Sequence, residues 1–169
     1  MDKNENYEIE RKFLIEFPDT DFLKTVDGVK IHEITQTYLK FGKGYNLRLR
    51  KRITDNVTEY FKTEKIHVTD VKRIENEEKI SEKEYSELLD LYDGGLCYLT
   101  KTRYALPYRD KIVEIDIYPT KAPLAVAEVE LLDENECFTL PSYINVIKEI
   151  TGDNEYSNIR IAKKFKDLT

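Results

Sequence analysis

Residues 6–15, NYEIERKFLI, place three charged side chains on one face of a predicted strand. Glu8, Glu10 and Lys12 occupy every second position, and alternate residues of an extended strand point to the same side of a sheet. Ile9, Arg11 and Phe13 alternate with them on the other face. A strand with its charged face in water shows the same alternation. This segment therefore predicts a strand, and the rest of the sequence must decide where its charged face lies.

The composition describes a highly charged globular chain. Its 169 residues, 36% charged and 40% hydrophobic, predict a single domain over residues 1–169. No run approaches the ~20 apolar residues of a membrane-spanning helix, and the polar N-terminal segment does not resemble a secretory signal. A net charge of −6 argues against a general nucleic-acid binder, which needs a basic surface. Cys97 and Cys137 lack metal-type spacing, so we expect two buried free thiols and a cytoplasmic location.

Strand-like segments recur along the chain with few helices between them. Four segments predict helices: a short one after Pro18, one beginning at Ser81, one over residues 140–151 and one from Ser157. In the second of these, Glu84 completes a capping box three residues after Ser81. Eight or so strands with few intervening helices indicate an α+β protein whose antiparallel sheet closes into a barrel.

Six of the predicted strands carry charged residues at alternate positions. A solvated face explains this alternation in any one strand. It does not explain why the charged faces repeat doublets of one sign and contain so few Ser, Thr or Asn residues. We therefore favour a barrel of about eight strands whose charged faces line a central cavity and whose apolar faces carry outer helices. The charged positions are Glu8, Glu10 and Lys12; Arg48, Arg50 and Arg52; Arg73, Glu75, Glu77 and Lys79; Lys101 and Arg103; Glu114 and Asp116; and Glu128 and Glu130.

A tunnel lined by both signs of charge suits a phosphate chain bound together with a metal ion. Arginine and lysine bind phosphate oxygens, whereas carboxylates hold Mg²⁺ or Mn²⁺, hard cations that bridge to phosphate oxygens. Phosphoryl transfer uses both kinds of group. The sequence contains no P-loop motif. His32 and His67 stand apart in sequence and do not indicate a zinc site.

The order of these motifs resembles the CYTH superfamily, the triphosphate tunnel metalloenzymes. EIERKFLI resembles the E-x-E-x-K motif of that family. TYL, LRLR, T-x-K at residues 63–65, R-x-E-x-E at residues 73–77, KTRY, EIDIY and AEVEL follow in the family's order. The similarity runs from Glu8 to the last predicted helix.

This resemblance implies an eight-stranded antiparallel tunnel with helices outside it, and an enzyme acting on triphosphates. Members hydrolyse inorganic, nucleoside or thiamine triphosphate, and some cyclise ATP; short bacterial members of this size are typically inorganic triphosphatases. Carried over by motif, the metal ligands are Glu8, Glu10 and Glu130 with Glu128 beside them, and the catalytic pair is Lys12 and Tyr38. The substrate-binding cations are Arg48, Arg50, Lys65, Arg73, Lys101 and Arg103, and the supporting tunnel carboxylates are Glu75, Glu77, Glu114 and Asp116.

Two positions stay open in the sequence. Lys62 and Lys65 point to opposite faces of one strand, and the resemblance alone favours Lys65 as the inward residue. Ile159 stands where several relatives carry a lysine. Either Arg160 or Lys163 replaces that cation, or the site has one cation fewer.

We expect a metal-dependent triphosphatase that hydrolyses tripolyphosphate, and also nucleoside triphosphates, as a monomer or homodimer with Mg²⁺ or Mn²⁺. The first alternative is a class IV-type adenylyl cyclase, for which the sequence offers 12 tyrosines but no tryptophan to hold adenine. The second is a non-catalytic polyphosphate- or nucleotide-binding module, which gains nothing from the carboxylates. The third is an ordinary half-solvated sheet protein. We expect neither a nucleic-acid nor a membrane partner.

Overall fold

The computed structural model describes residues 7–120 and 124–166, and these form a closed antiparallel barrel. The strands follow the order β5-β4-β3-β2-β6-β7-β8-β1, and β1 also pairs with β5, which closes the eight strands. The predicted eight-stranded barrel is therefore confirmed. The strands are β1 (Tyr7–Ile15), β2 (Lys30–Gly42), β3 (Tyr45–Thr54), β4 (Val57–His67), β5 (Lys72–Ile80), β6 (Cys97–Tyr108), β7 (Lys111–Tyr118), β8 (Leu124–Leu131) and the short β9 (Val146–Glu149).

Strand β1 is the seam of the barrel, because it pairs with three other strands. Its residues 9–15 pair with β8, its residues 7–9 pair with β5, and its residues 13–15 pair with β9. The strand that carries the E-x-E-x-K motif thus joins both sides of the sheet.

The helix predicted over residues 140–151 is wrong. Part of this segment is the extended strand β9, which bonds to the second half of β1. Two buried side chains near its ends explain the extended form: Ile144 packs into one apolar cluster and Ile150 into another. An extended chain can reach from one cluster to the other, whereas a helix advances only about 1.5 Å per residue.

The other three predicted helices are confirmed as α1 (Thr20–Leu23), α2 (Glu82–Leu91) and α3 (Asn158–Lys166). The Ser81 hydroxyl caps α2 by accepting a hydrogen bond from the Glu84 backbone N–H at 3.1 Å. None of the helices in the described parts of the chain combines the length and apolar character needed to cross a membrane. Cys97 is buried as expected, but Cys137 is exposed.

Three apolar clusters hold these layers together. The first covers the outer faces of β1, β6, β7 and β8 and includes Leu23 of α1. The second lies between Tyr85 of α2 and the outer face of β3. The third lies on the inner face at one end of the barrel, where Ile161 and Ala162 of α3 pack against Leu99 and Val126. Helices α1 and α2 thus lie outside the barrel, as predicted, and α3 covers one end of its interior.

Candidate active site

The charged strand faces enclose a cavity of about 560 Å³ inside the barrel. All eight barrel strands contribute to its lining, because the sheet register keeps the alternating charged positions on the inner side. The structure thus brings most of the predicted site residues together. Those lining this cavity are Glu8, Glu10, Arg48, Arg50, Lys65, Glu75, Glu77, Lys101, Arg103, Glu114, Glu128 and Glu130.

A smaller cavity of about 110 Å³ adjoins the first and is lined by the remaining predicted residues except one. Lys12, Tyr38 and Arg73 border it, together with residues 150–159 that precede and begin α3. Four lining residues are common to both cavities, so the two spaces are neighbours. The shared residues are Glu10, Arg48, Lys65 and Asn158. Asp116 borders neither cavity and is fully buried behind the wall of the larger one.

The predicted metal ligands lie side by side on β1 and β8. Glu10 is directly opposite Glu130 in the register of these strands, and Glu8 lies one inward position further along β1. Lys65 Nζ donates to Glu8 at 2.6 Å, and Arg73 forms an ion pair with Glu10. The Glu130 carboxylate makes no hydrogen bond or ion pair within the described residues.

These carboxylates fit a hard divalent cation by their chemistry, although the side chains of Glu8 and Glu10 are engaged with Lys65 and Arg73. Among the described residues, no three potential ligands converge closely enough to hold an ion. Burial, and next the charges of Glu8, Glu75 and Glu10, raise the pKa of Glu130 above its ordinary value. A shift of this kind marks an excess of negative charge, which a cation bound by carboxylate oxygens would offset.

On the opposite side of the cavity, β3 supplies two arginines that pair with carboxylates of β5. Arg50 Nη2 donates to both oxygens of Glu77, at 2.6 and 2.7 Å, and Arg48 Nη2 lies 3.4 Å from Glu75. The Nε atoms of both arginines are buried without a hydrogen-bond partner. Unsatisfied buried donors are costly. An anion in the cavity would satisfy them.

Lys101 and Arg103 of β6 are held from behind by Asp116. Arg103 donates to Asp116 through Nε at 2.6 Å and Nη2 at 2.7 Å, and Lys101 forms an ion pair with the same carboxylate. Arg103 also contacts Glu128 at 3.0 Å and pairs with Glu114. Burial, with the neighbouring Arg103 charge, lowers the pKa of Lys101 to about 8.

The predicted catalytic pair is placed at the boundary with the smaller cavity. Lys12 Nζ lies 2.5 Å from Glu128, which is its ion-pair partner in the described structure. The Tyr38 hydroxyl instead accepts a hydrogen bond from Gln36 Nε2 at 2.9 Å. Burial raises the pKa of Tyr38 to about 12.

The two positions left open by the sequence have clear locations. Lys65 lines the cavity, whereas Lys62 points to the opposite side and lies 3.4 Å from Glu78. Ile159 borders the smaller cavity. Arg160 and Lys163 border neither cavity; Lys163 instead lies over the Phe41 ring. The arrangement with one cation fewer is therefore the one seen in the described residues.

Apart from Tyr38, the uncharged polar residues of the site were not found from the sequence. Gln36 borders the larger cavity, and Asn46 borders the smaller one with a buried, unpartnered Oδ1. The signal for Gln36 was present, because it stands two positions before Tyr38 on the same strand face. A search limited to charged doublets missed it.

Comparisons with known proteins agree with this geometry. A profile of the CYTH domain matches residues 6–149. The chain is 31% identical over 160 residues to an inorganic triphosphatase of Acetivibrio thermocellus, covering 92% of this chain and 93% of that protein.

Solved structures show the same architecture. The inorganic triphosphatase NE1496 has 31% sequence identity and a TM-score of 0.56, with 92% of this chain and 93% of that chain covered. The PH1819 protein of Pyrococcus horikoshii has 16% identity and a TM-score of 0.58, with 95% and 87% covered, and shows the shared fold alone. Together with the matched profile, these similarities show that the chain belongs to the CYTH domain family.

Proposed function

We propose that this protein is a metal-dependent triphosphatase that hydrolyses inorganic triphosphate to phosphate and pyrophosphate, with nucleoside triphosphates as further substrates. The observation that carries the proposal is the larger charged cavity, in which carboxylates of β1 and β8 face arginines and lysines of β3, β4 and β6. Two proteins called inorganic triphosphatases, each 31% identical to this chain, support it.

The cations of the tunnel would bind the phosphate oxygens. Arg48 and Arg50 each have a buried Nε donor free for an anion. Lys101 and Arg103, held by Asp116, would present their charges from a fixed position. A fixed array of donors neutralises the charge that develops during phosphoryl transfer without having to reorganise.

Glu8, Glu10 and Glu130 would hold the divalent cation, Mg²⁺ or Mn²⁺, with Glu128 beside them. When bound, such a cation neutralises phosphate charge and makes a coordinated water more acidic. Lys65 and Arg73, which pair with Glu8 and Glu10 in the described structure, would then be available to phosphate oxygens.

Lys12 and Tyr38 would act as hydrogen-bond donors near the scissile phosphate. Burial works against the charge of Lys12, but the carboxylates of Glu128 and Glu10 hold its pKa above the ordinary value, so it is an ammonium. Tyr38, with its pKa raised to about 12 by burial, keeps its proton at neutral pH. Neither group is therefore suited to accept a proton from water at that pH.

A linear triphosphate suits the whole charged length of the tunnel better than a shorter or bulkier anion. Pyrophosphate would leave part of the cation array unused, so binding energy that aligns the scissile bond would be lost. Among the described residues that line the larger cavity, none is an aromatic side chain on which adenine could stack. The eight strands of the barrel that encloses this cavity run from Tyr7 to Leu131, which supports treating the chain as one domain.

The test is a phosphate-release assay on tripolyphosphate, ATP, thiamine triphosphate and pyrophosphate, each with Mg²⁺, Mn²⁺ or EDTA. We expect the highest kcat/KM with tripolyphosphate, the lowest with pyrophosphate, and no turnover in EDTA. A Glu10→Gln variant purified in parallel controls for contaminating phosphatases. Conversion of ATP to cyclic AMP would favour the cyclase, and tight binding without turnover would favour a binding module.

A further inference from the structure

Gln36 is a buried amide on the inner face of the barrel. Its side chain lines the larger cavity, and the residue is 2% exposed. In the sheet register it lies opposite Arg50 of β3 and Leu99 of β6. A buried amide needs hydrogen-bond partners. Gln36 Nε2 meets this need by donating to the Tyr38 hydroxyl at 2.9 Å.

The surroundings of the Tyr38 hydroxyl restrict where its proton can point. A phenol has one O–H proton and lone pairs that accept. The Gln36 N–H occupies an accepting position, and the positive charges of Arg48 and Lys12 lie near the same oxygen. An N–H donor and two cations all attract the lone pairs and repel the proton. The proton therefore points away from Gln36, and in the smaller cavity, which Tyr38 borders together with Lys12 and Arg48, an anion held by those two cations would accept it.

We infer that Gln36 is a positioning residue that aims the O–H of Tyr38 at a phosphate oxygen of the bound triphosphate. This inference rests on the proposed function. It explains why an uncharged side chain stands among charged ones: a carboxylate here would accept a hydrogen bond from the Tyr38 O–H, and a lysine would add a charge instead of a neutral donor. Tyr38 contacts the substrate, and Gln36 acts through Tyr38.

Two substitutions separate this role from a packing role. Gln36→Leu keeps a similar volume and removes the donor, so the Tyr38 hydroxyl loses its preferred direction but can still reach the substrate. Gln36→Glu keeps the shape and replaces the donor with acceptors, so the Tyr38 O–H donates its hydrogen bond to the carboxylate instead of to the substrate. Gln36→Glu also adds a negative charge to an anion site, and the effect of this charge alone must be measured separately.

The experiment is a double-mutant cycle, with each Gln36 substitution made in the wild type and in Tyr38→Phe. Steady-state kcat and KM for tripolyphosphate are measured with saturating metal, and melting temperatures show that each variant folds. We expect Gln36→Leu to lower kcat/KM about 5-fold in the wild type and to have no effect in the Tyr38→Phe background. The fall in kcat/KM caused by Gln36→Glu should be at least about 10-fold larger in the wild type than in the Tyr38→Phe background, where only the added negative charge acts.

Binding of an imido-bridged triphosphate, which resists hydrolysis, is measured for the same variants by calorimetry. Coupling between positions 36 and 38 in this binding supports the inference even if the wild type proves inactive, a result that would refute the proposed hydrolysis alone. Equal losses from each Gln36 substitution in both backgrounds would overturn the inference. So would full activity of Gln36→Glu, because it would mean that the Gln36 side chain accepts a hydrogen bond from the Tyr38 O–H instead of donating one.

Discussion

Replacing Asp116 with asparagine tests the charge arrangement behind the tunnel wall. Asp116 is 0% exposed, and its two oxygens engage Lys101 and Arg103. Asparagine keeps the shape but removes the negative charge. Arg103 would keep its contacts with Glu128 and Glu114, whereas Lys101 would lose the carboxylate to which its Nζ is bound.

The expected cost follows from the burial of this group. Removing one partner of a buried ion pair typically costs about 3–5 kcal/mol. Because Glu128 and Glu114 still compensate Arg103, we expect Asp116→Asn to lower the free energy of unfolding by the smaller figure, about 3 kcal/mol. For a protein of this size, that loss corresponds to a fall in Tm of about 6–12 °C.

Thermal and urea unfolding followed by circular dichroism would measure this loss, with Glu114→Gln as the matched control. Glu114 is 35% exposed in its side chain and pairs with Arg103 alone, so its substitution should cost less than about 1 kcal/mol. Tripolyphosphate should raise the Tm of Asp116→Asn more than that of the wild type, because the anion supplies part of the missing negative charge. An Asp116→Asn protein that melts within about 2 °C of the wild type would refute the reasoning. Equal losses in the free energy of unfolding for Asp116→Asn and Glu114→Gln would also refute it.

Three further predictions concern the tunnel charges. Glu130→Gln should abolish phosphate release yet raise the Tm of the metal-free protein at neutral pH, because burial and neighbouring carboxylates disfavour its charge. This gain in Tm over the wild type, followed by scanning fluorimetry in EDTA, should vanish as the pH falls through the raised pKa of Glu130, because the wild-type carboxyl then becomes neutral as well. A Tm of Glu130→Gln below that of the wild type at pH 7 would contradict this. Arg50→Ala should lower kcat/KM for tripolyphosphate by at least ~100-fold while Lys51→Ala, on the opposite face of β3, changes little; the reverse pattern would show that the strand faces are assigned wrongly. The pKa of Lys101 is lowered to about 8 by burial and the Arg103 charge, so kcat/KM should fall as the pH rises through about 8 and this cation is lost. Lys101→Arg should keep its activity up to pH ~10, because guanidinium does not lose its proton there, and an unchanged profile would exclude Lys101 as the group responsible.

Much of the barrel could be predicted because charged residues stand at every second position of its strands, and every second side chain of a strand points to the same face of the sheet. Residues such as Glu8, Glu10 and Glu130 stand on charged faces whose opposite sides are apolar, and the structure puts these faces inward. Alternation assigns residues to the same or opposite faces, but it does not say which face is inside. This is why the choice between Lys62 and Lys65 needed either the family pattern or the structure.

The remaining errors have physical causes that a local pattern does not contain. Residues 140–151 were predicted as a helix, but pairing with the distant strand β1 and the anchoring of Ile144 and Ile150 in separate clusters favour an extended chain. The ion pairs of Glu8 with Lys65 and of Glu10 with Arg73 also could not be foreseen. They depend on side-chain directions across strands that are far apart in sequence.

The three pairings of β1 also determine when the carboxylate group can form during folding. Six strands separate β1 from β8 along the chain, whereas β2 to β5 and β6 to β8 pair with their sequence neighbours. Pairing sequence neighbours closes short loops, and pairing β1 with β8 closes a very long one, which is slow. Glu8 and Glu10 meet Glu130 only when that seam closes. A nascent or partly folded chain therefore has no complete set of these three carboxylates, and completion of the barrel and assembly of this group are one event.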